Sequence, residues 1–182
     1  MQLGITLRGA DASRHDPAGT HHLIRIGDLS DDGALLVSEP NLIRLDGATA
    51  RRFELKSGEV LLAARGTRMT AAIFDGGRPA VAGGQFLVIR PRAGVLVPAY
   101  LRWFLNLPTT QDSLIAEARG SYVRSLSASA LSDLELPVPP LPQQRAIAEL
   151  HELRLHEKRL MEQLAAHRAV LVDRAILQSL HP

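Results

Sequence analysis

The C-terminal part of the chain lacks residues that break helices. After Pro142 there is neither glycine nor proline until Pro182, and this run predicts one continuous helix. Pro142 is itself compatible with a first helical turn, because the N–H that proline lacks has no intrahelical partner there. About 38 residues with a rise of 1.5 Å each make a rod about 57 Å long. A helix of this length restricts any globular domain to the residues that precede it.

The predicted helix carries an apolar stripe at heptad spacing. Met161 widens this stripe, whereas Glu157 interrupts it. A domain built from the preceding residues cannot cover the stripe along its whole length, so a partner helix is its natural cover. A helix folded back on its own domain is the alternative. The expected dimer interface consists of Ile147, Leu150, Leu153, Leu160, Leu164 and Leu171.

A proline-rich joint precedes the predicted helix. The stretch LPVPPLPQQRAIAEL, residues 136–150, holds four prolines within seven residues. A residue that precedes proline is disfavoured in the helical region, so residues 135–138 are predicted to be extended. The joint divides the chain into a first domain, residues 1–138, and a long dimerisation helix, residues 139–182.

The first domain is predicted to be rich in β-strands. Short apolar runs alternate with turn signals such as Asp31-Asp32-Gly33. The run FLVI at residues 86–89 is continuously apolar, as expected of a strand that is buried on both faces. Strands are predicted near residues 3–7, 23–26, 35–37, 42–45, 60–64, 69–74 and 86–89.

Helical spacing replaces this pattern after residue 98. AYLRWFLNL predicts a helix over residues 99–107, with Pro98 in its first turn. Thr109 or Thr110 is expected to cap a second helix that runs to about residue 119, and Ser127 is expected to cap a short turn. The predicted fold class is therefore α+β: a β-rich domain with small helices, followed by one long C-terminal helix of coiled-coil character.

Patterns typical of enzymes are weak. The absence of cysteine excludes cysteine nucleophiles and thiolate metal sites, and the chain has no P-loop, dinucleotide fingerprint or GxSxG motif. His15 with Asp16, or His21 with His22, leaves a stand-alone hydrolase open as an alternative. Adjacent residues of a strand point to opposite faces, however, so the histidine pair is poorly placed to bind one ion. We expect no enzymatic activity, no metal and no cofactor.

The sequence also predicts a cytoplasmic protein. No apolar run approaches the roughly 20 residues of a membrane span, and the N-terminal stretch MQLGITLRGA lacks the features of a secretory signal. A chain without cysteine fits a reducing compartment.

Two polar loops between apolar segments are candidates for contact with DNA. The first, Arg65-Gly66-Thr67-Arg68, combines two arginines and a hydroxyl with a glycine that permits close approach to a phosphate. The second, residues 120–125, offers small donors, an aromatic ring and an arginine, which suit a sugar–phosphate backbone or a base edge. The predicted DNA-binding residues are Arg65, Thr67, Arg68, Ser121, Tyr122 and Arg124.

Each of these loops also has an ordinary explanation, as a solvated polar turn. All basic residues other than Lys56 and Lys158 are arginine, and the arginine fork suits phosphates and guanine edges. A GC-rich coding sequence explains the same bias, so the composition alone does not decide between these interpretations.

Four segments together resemble the DNA-specificity subunit of type I restriction–modification systems. They are GEVLLAARG at residues 58–66, AVAGGQFLVIRP at 80–91, AYLRWFL at 99–105 and GSYVRSLSASALSDLELPVPPLPQQRAIAEL at 120–150. The last segment is the most specific, because it joins a Gly-Ser loop, a capped turn, an extended piece, a Pro-Pro-Leu joint and a helix. Residues 1–24 carry little of the likeness.

The resemblance implies a function and a set of partners. It implies a non-catalytic subunit that binds double-stranded DNA and directs a DNA methyltransferase subunit, with a restriction subunit as a further candidate partner. The proline joint would hold the helix of residues 139–182, which would act as a spacer, at a rigid angle to the recognition domain. Family members typically carry two recognition domains and two helices, whereas this chain has one of each. We therefore expect a homodimer that reads a bipartite palindromic site; the alternative is a protein–protein scaffold of the same fold that no longer binds DNA.

Overall fold

The computed structural model describes residues 1–7, 14–36, 39–66, 68–118 and 125–179. The chain divides into two compact units, Met1–Arg145 and Ala146–Pro182. The described residues include no helix that is both long enough and apolar enough to cross a membrane.

The first unit contains two β-sheets. The larger is an antiparallel, four-stranded sheet in the order β1-β7-β4-β5. The smaller has the order β3-β2-β6, with β2 and β6 parallel. The strands are β1 (Gln2–Leu3), β2 (His21–Ile24), β3 (Leu42–Ile43), β4 (Glu59–Ala63), β5 (Ala71–Phe74), β6 (Ala80–Ala82) and β7 (Phe86–Ile89).

The two central strands of the larger sheet are buried on both faces. On β4, Val60 and Leu62 pack into a core cluster with helical residues. The alternate residue Leu61 packs on the opposite face, with Phe86 of β7 and with Ile24 of the smaller sheet. The continuous apolar run of β7 had predicted such a strand, and the prediction is confirmed.

Five α-helices complete the described part of the chain. Their order confirms the predicted α+β class with a long C-terminal helix. The helices are α1 (Gly47–Phe53), α2 (Pro98–Leu105), α3 (Pro108–Glu117), α4 (Ala128–Ser132) and α5 (Leu141–Ser179).

The predicted helix caps have different outcomes. Ser127 caps α4 as expected, because its hydroxyl accepts a hydrogen bond of 3.1 Å from the Ala130 N–H. The prediction for α3 was wrong: its N-cap is Leu107, and Thr110 is buried inside the helix. Pro108 already has the backbone angle of a first helical turn, so the helix begins before either threonine. Helix α1 was missed, although the Asp46 carboxylate caps it through the Ala48 and Thr49 N–H groups.

Two side-chain amides cover the free edge of β5 and the residues before it. Asn106 accepts from the Ala71 N–H and donates to the Ala71 carbonyl, both at 2.8 Å. Gln111 accepts from the Met69 N–H at 3.1 Å and donates to the Met69 carbonyl at 2.9 Å. The two amides satisfy backbone groups that would otherwise form an open sheet edge.

The joint before α5 is held by two buried side chains of the first unit. The Tyr100 hydroxyl donates to the Pro137 carbonyl at 2.8 Å. Gln144, in the first turns of α5, is fully buried. It accepts from the Val97 N–H at 2.9 Å and donates to the carbonyls of Val95, at 2.9 Å, and Pro139, at 2.7 Å. The start of α5 is thus tied to the segment that precedes α2.

The second unit consists of the rest of α5. The helix has 39 residues, in agreement with the predicted rod. Ile147 is half-buried, while the leucines of the heptad stripe are exposed by 44% to 69%: Leu150, Leu153, Leu160, Leu164 and Leu171.

Candidate DNA-binding surface

The first candidate loop follows directly from β4. Ala64 is still buried and its N–H donates to the Gln85 carbonyl at 2.8 Å. Arg65 then turns into solvent, and Gly66 has a positive φ of 115° that L side chains rarely adopt. Arg68 is exposed as well, whereas Thr67 lies outside the described residues. Two exposed arginines therefore stand on either side of a turn anchored in the core.

The end of the second candidate loop lies beside the first. Ser125 forms an isolated antiparallel bridge with Arg65. The next residue, Leu126, donates its N–H to the Ala64 carbonyl at 2.8 Å and is buried in the core. The structure thus brings Arg65 to the end of the second loop, while Ser121, Tyr122 and Arg124 of that loop lie outside the described residues.

Asp31, which the sequence indicates only as part of the turn signal Asp31-Asp32-Gly33, also reaches this surface. The Asp31 carboxylate lies 2.5 Å from Nη1 of Arg68, and the two side chains are 82% and 61% exposed. They are far apart in the sequence, and no local pattern marks them as neighbours. The loop of residues 28–36 is therefore a third part of the candidate surface.

The first loop and the loop of residues 28–36 border a groove. Its volume is about 410 Å³, and its charged lining side chains are Arg65, Arg68 and Asp31. The groove thus offers two guanidinium groups, each with several N–H donors, and one carboxylate that accepts hydrogen bonds. Guanidinium groups bind phosphates and guanine edges, and a carboxylate can accept a hydrogen bond from the amino group of cytosine. Its lining comprises Ile26, Leu29, Ser30, Asp31, Ala63, Arg65, Gly66, Arg68 and Thr70.

The candidate hydrolytic residues have structural partners. His15 Nδ1 accepts from the Leu42 N–H at 3.2 Å, and Asp16 lies 3.3 Å from Arg44. His21 Nδ1 is hydrogen-bonded to the Thr20 hydroxyl at 2.8 Å. Each residue therefore has a contact that supports the fold. Within the described part of the chain, no three His, Asp or Glu side chains are grouped so that they could hold a metal ion.

His22 is the most buried of these histidines. Its Nε2 lies 3.7 Å from the Asp28 carboxylate. Burial lowers the pKa of His22, and the nearby Arg78 acts in the same direction, while Asp28 opposes them. The imidazole is therefore held towards its neutral form.

The chain thus combines a β-rich unit, which carries the candidate surface, with a long C-terminal helix. The sequence matches the model of the type I restriction modification DNA specificity domain over residues 10–163. The chain therefore belongs to this family, whose specificity subunit is a non-catalytic DNA-recognition subunit. The resemblance stated from the sequence is confirmed.

Solved structures show the same fold. One similar chain comes from a structure that describes complex assembly and conformational transition of the type I R-M system, with a TM-score of 0.71 and 15% identity over 95% of this chain. Another is the HsdS subunit from Thermoanaerobacter tengcongensis, with a TM-score of 0.63 and 20% identity over 91% of this chain. The matches cover 40% and 43% of those chains, so this chain spans about two fifths of their length. Comparison with curated proteins gives no match.

Proposed function

We propose that this chain reads a specific sequence of double-stranded DNA and directs a partner DNA methyltransferase to it. Where a restriction subunit joins the complex, the same recognition would direct the nuclease. In this division of labour, residues 1–138 read DNA and residues 139–182 act as spacer and docking helix. The protein would act in the cytoplasm.

The proposal rests mainly on one observation: in a chain of this family, Arg65 and Ser125 are paired. The bridge between them unites the ends of two polar loops, and Arg68 borders the same groove. Arginines on short loops can approach phosphates and base edges while the strands behind them hold their positions. The remaining predicted DNA-binding residues, Thr67, Ser121, Tyr122 and Arg124, belong to this proposal as well.

The exposed leucine stripe supports the second part of the proposal, a homodimer. Large apolar side chains at heptad spacing are normally covered by another helix, and the five leucines of the α5 stripe are exposed. A twofold dimer presents two identical recognition domains, so its site would be a palindrome with two half-sites and an unread spacer.

Selection of duplexes from a random pool tests DNA recognition. We expect an enriched bipartite motif and an affinity that falls steeply as salt increases, because phosphate contacts release counterions. If no motif is enriched and binding does not depend on salt, the proposal fails, and a scaffold that no longer binds DNA becomes the better description.

A separate experiment tests the methyltransferase partner. A methyltransferase subunit encoded beside this gene should co-purify with the protein and methylate the selected motif only when the protein is present. If such a subunit methylates the motif equally well alone, this chain does not direct it.

A further inference from the structure

The contact between Arg68 and Asp31 leaves part of the arginine fork available. Nη1 of Arg68 lies 2.5 Å from the Asp31 carboxylate, and a guanidinium has five N–H donors, which is more than one carboxylate can engage. The same side chains line the groove beside Arg65. Donors of an arginine and the oxygens of an aspartate thus lie side by side on an exposed surface.

Asp31 is held in place by the loop that carries it. The Ser30 hydroxyl donates to the Asp32 carboxylate and accepts from the Ala34 N–H at 2.9 Å, and the Gly33 N–H donates to the Ser30 carbonyl at 3.1 Å. Asp32 is therefore turned back into the loop, while Asp31 reaches Arg68.

The loop also lies close against the larger sheet. Gly33 has a positive φ of 78°, and a Cβ at this position would lie 2.4 Å from the Ala71 carbonyl oxygen. Only glycine permits this approach. The position of the loop, and with it that of Asp31, is set by β5.

Hydrogen bonds also fix the backbone that follows Arg68. The backbone of the next residue, Met69, exchanges two hydrogen bonds with the Gln111 amide, and Ala71 exchanges two with Asn106. The Ala63 N–H donates to the Thr70 carbonyl at 2.9 Å, so the segment remains paired with β4. Side-chain hydrogen bonds thus fix the backbone near both Arg68 and Asp31.

A carboxylate is unfavourable on a surface that binds only phosphates. The exposed Asp31 repels a DNA backbone and competes with phosphate for Arg68, so it weakens sequence-independent binding. It becomes favourable where a base presents a hydrogen-bond donor. In the major groove the G·C pair presents guanine O6 and N7 as acceptors, with the cytosine N4 amino group as a donor beside them. Guanine O6 and cytosine N4 are hydrogen-bonded to each other, at about 2.9 Å, so an acceptor and a donor lie side by side there, as the guanidinium of Arg68 and the carboxylate of Asp31 do in the groove.

We propose that Arg68 and Asp31 together read one G·C base pair in the site. The Nε–Nη2 edge of Arg68 donates to guanine O6 and N7, and the Asp31 carboxylate accepts from cytosine N4. Asp31 also orients the guanidinium before DNA arrives. This inference rests on the proposed DNA recognition and adds the base pair and the residues that select it.

The test compares motifs selected by the parent protein, Arg68→Ala and Asp31→Asn. We expect a G·C requirement at one position of the parent motif, and both variants should relax it at that same position. One good contact of this kind discriminates against other base pairs by about 5- to 150-fold, and competition between the cognate duplex and a duplex changed at that position measures the loss.

Matched controls come from the Arg44 and Asp16 pair. This pair is also exposed at the surface, with a contact of 3.3 Å, but neither residue lines the groove. Arg44→Ala and Asp16→Asn make the same changes of charge and should leave every position of the motif unchanged. Thermal unfolding of all four variants shows whether they remain folded.

The possible outcomes separate this inference from the proposed function. A parent protein that selects no motif overturns both. A parent that selects a motif, while Arg68→Ala and Asp31→Asn bind the same motif with only a uniform change in affinity, overturns the base-pair inference alone. Arg68 would then be a phosphate contact, and DNA recognition would stand.

Discussion

The backbone of Arg65 pairs with the backbone of Ser125 in an antiparallel bridge. The Leu126 N–H continues this pairing with a hydrogen bond to the Ala64 carbonyl. Two loops that are distant in sequence therefore leave the core at the same place. A protein that reads DNA needs such an arrangement, because side chains from separate loops must reach one duplex in a constant register.

Arg65→Ala should weaken DNA binding about equally for all sequences. A phosphate contact carries no sequence information, and losing one lowers the slope of log affinity against log salt by about one. Binding measured at several salt concentrations gives this slope, and the same result is expected for Arg124→Ala. Arg51→Ala, on exposed α1 outside the groove, is the control. Parent-like binding by both Arg65→Ala and Arg124→Ala would show that these loops do not face the duplex.

Gln144→Leu should destabilise the first unit. The substitution leaves the Val97 N–H and the Val95 and Pro139 carbonyls without their partner, at a cost of about 1–3 kcal/mol for each buried group that stays unpaired. Urea unfolding measures the change in the free energy of unfolding. The neighbouring Gln143 is exposed, so Gln143→Leu is the matched control. Equal stability of the two variants would mean that Gln144 does not anchor the joint.

The double variant Leu160→Asp with Leu164→Asp should dissociate the proposed dimer while the first unit stays folded. Truncating a buried leucine alone costs about 2–5 kcal/mol, and a carboxylate in an apolar seam adds to this. Analytical ultracentrifugation gives the mass, and circular dichroism reports on the fold. Ala165→Asp with Ala169→Asp introduces the same charges at the same spacing on another face of α5 and should remain dimeric. A monomeric parent well above micromolar concentration would contradict the dimer itself.

Deletion of residues 157–163 should shorten the unread spacer of the DNA site. Removing one heptad keeps the apolar stripe in phase but shortens the helix by about 10.5 Å. For recognition domains at opposite ends of paired antiparallel helices, this corresponds to about three base pairs at roughly 3.4 Å each. Selection from a random pool should return the parent half-sites with a shorter spacer. An unchanged spacer would show that the length of α5 does not set the distance between the half-sites. A non-palindromic site would indicate pairing with a different chain.

His22 should make the folded state less stable in mild acid. Burial lowers the pKa of His22 in the folded protein below the ordinary histidine value of 6.5. As pH falls below that value, the unfolded chain takes up a proton more readily than the folded one, so the free energy of unfolding decreases until the folded pKa has been passed. Urea unfolding between pH 7.5 and 5 should show a smaller decrease for His22→Gln than for the parent. His156→Gln, on exposed α5, should keep the parent's pH dependence; a parent-like slope for His22→Gln would assign the effect to other groups.

Local patterns determined much of the fold. The absence of glycine and proline after Pro142 predicted α5, the apolar run at residues 86–89 predicted β7, and Ser127 was correctly identified as a helix cap. These features follow from backbone preferences and from burial along a single element, which neighbouring residues encode. The missed α1 also had a local signal in Asp46, but a seven-residue helix leaves little room for an apolar period.

The tertiary structure decided which distant residues meet. The sequence predicted Arg65 and Arg68 as separate members of a polar loop, but it did not indicate that Asp31 contacts Arg68 or that Gln111 and Asn106 hold the backbone beside it. Such contacts depend on the order of the strands and on where the helices pack against the sheet's edge. Strand order arises from the burial of whole surfaces against one another, so it leaves no pattern in the residues next to Asp31 or Arg68.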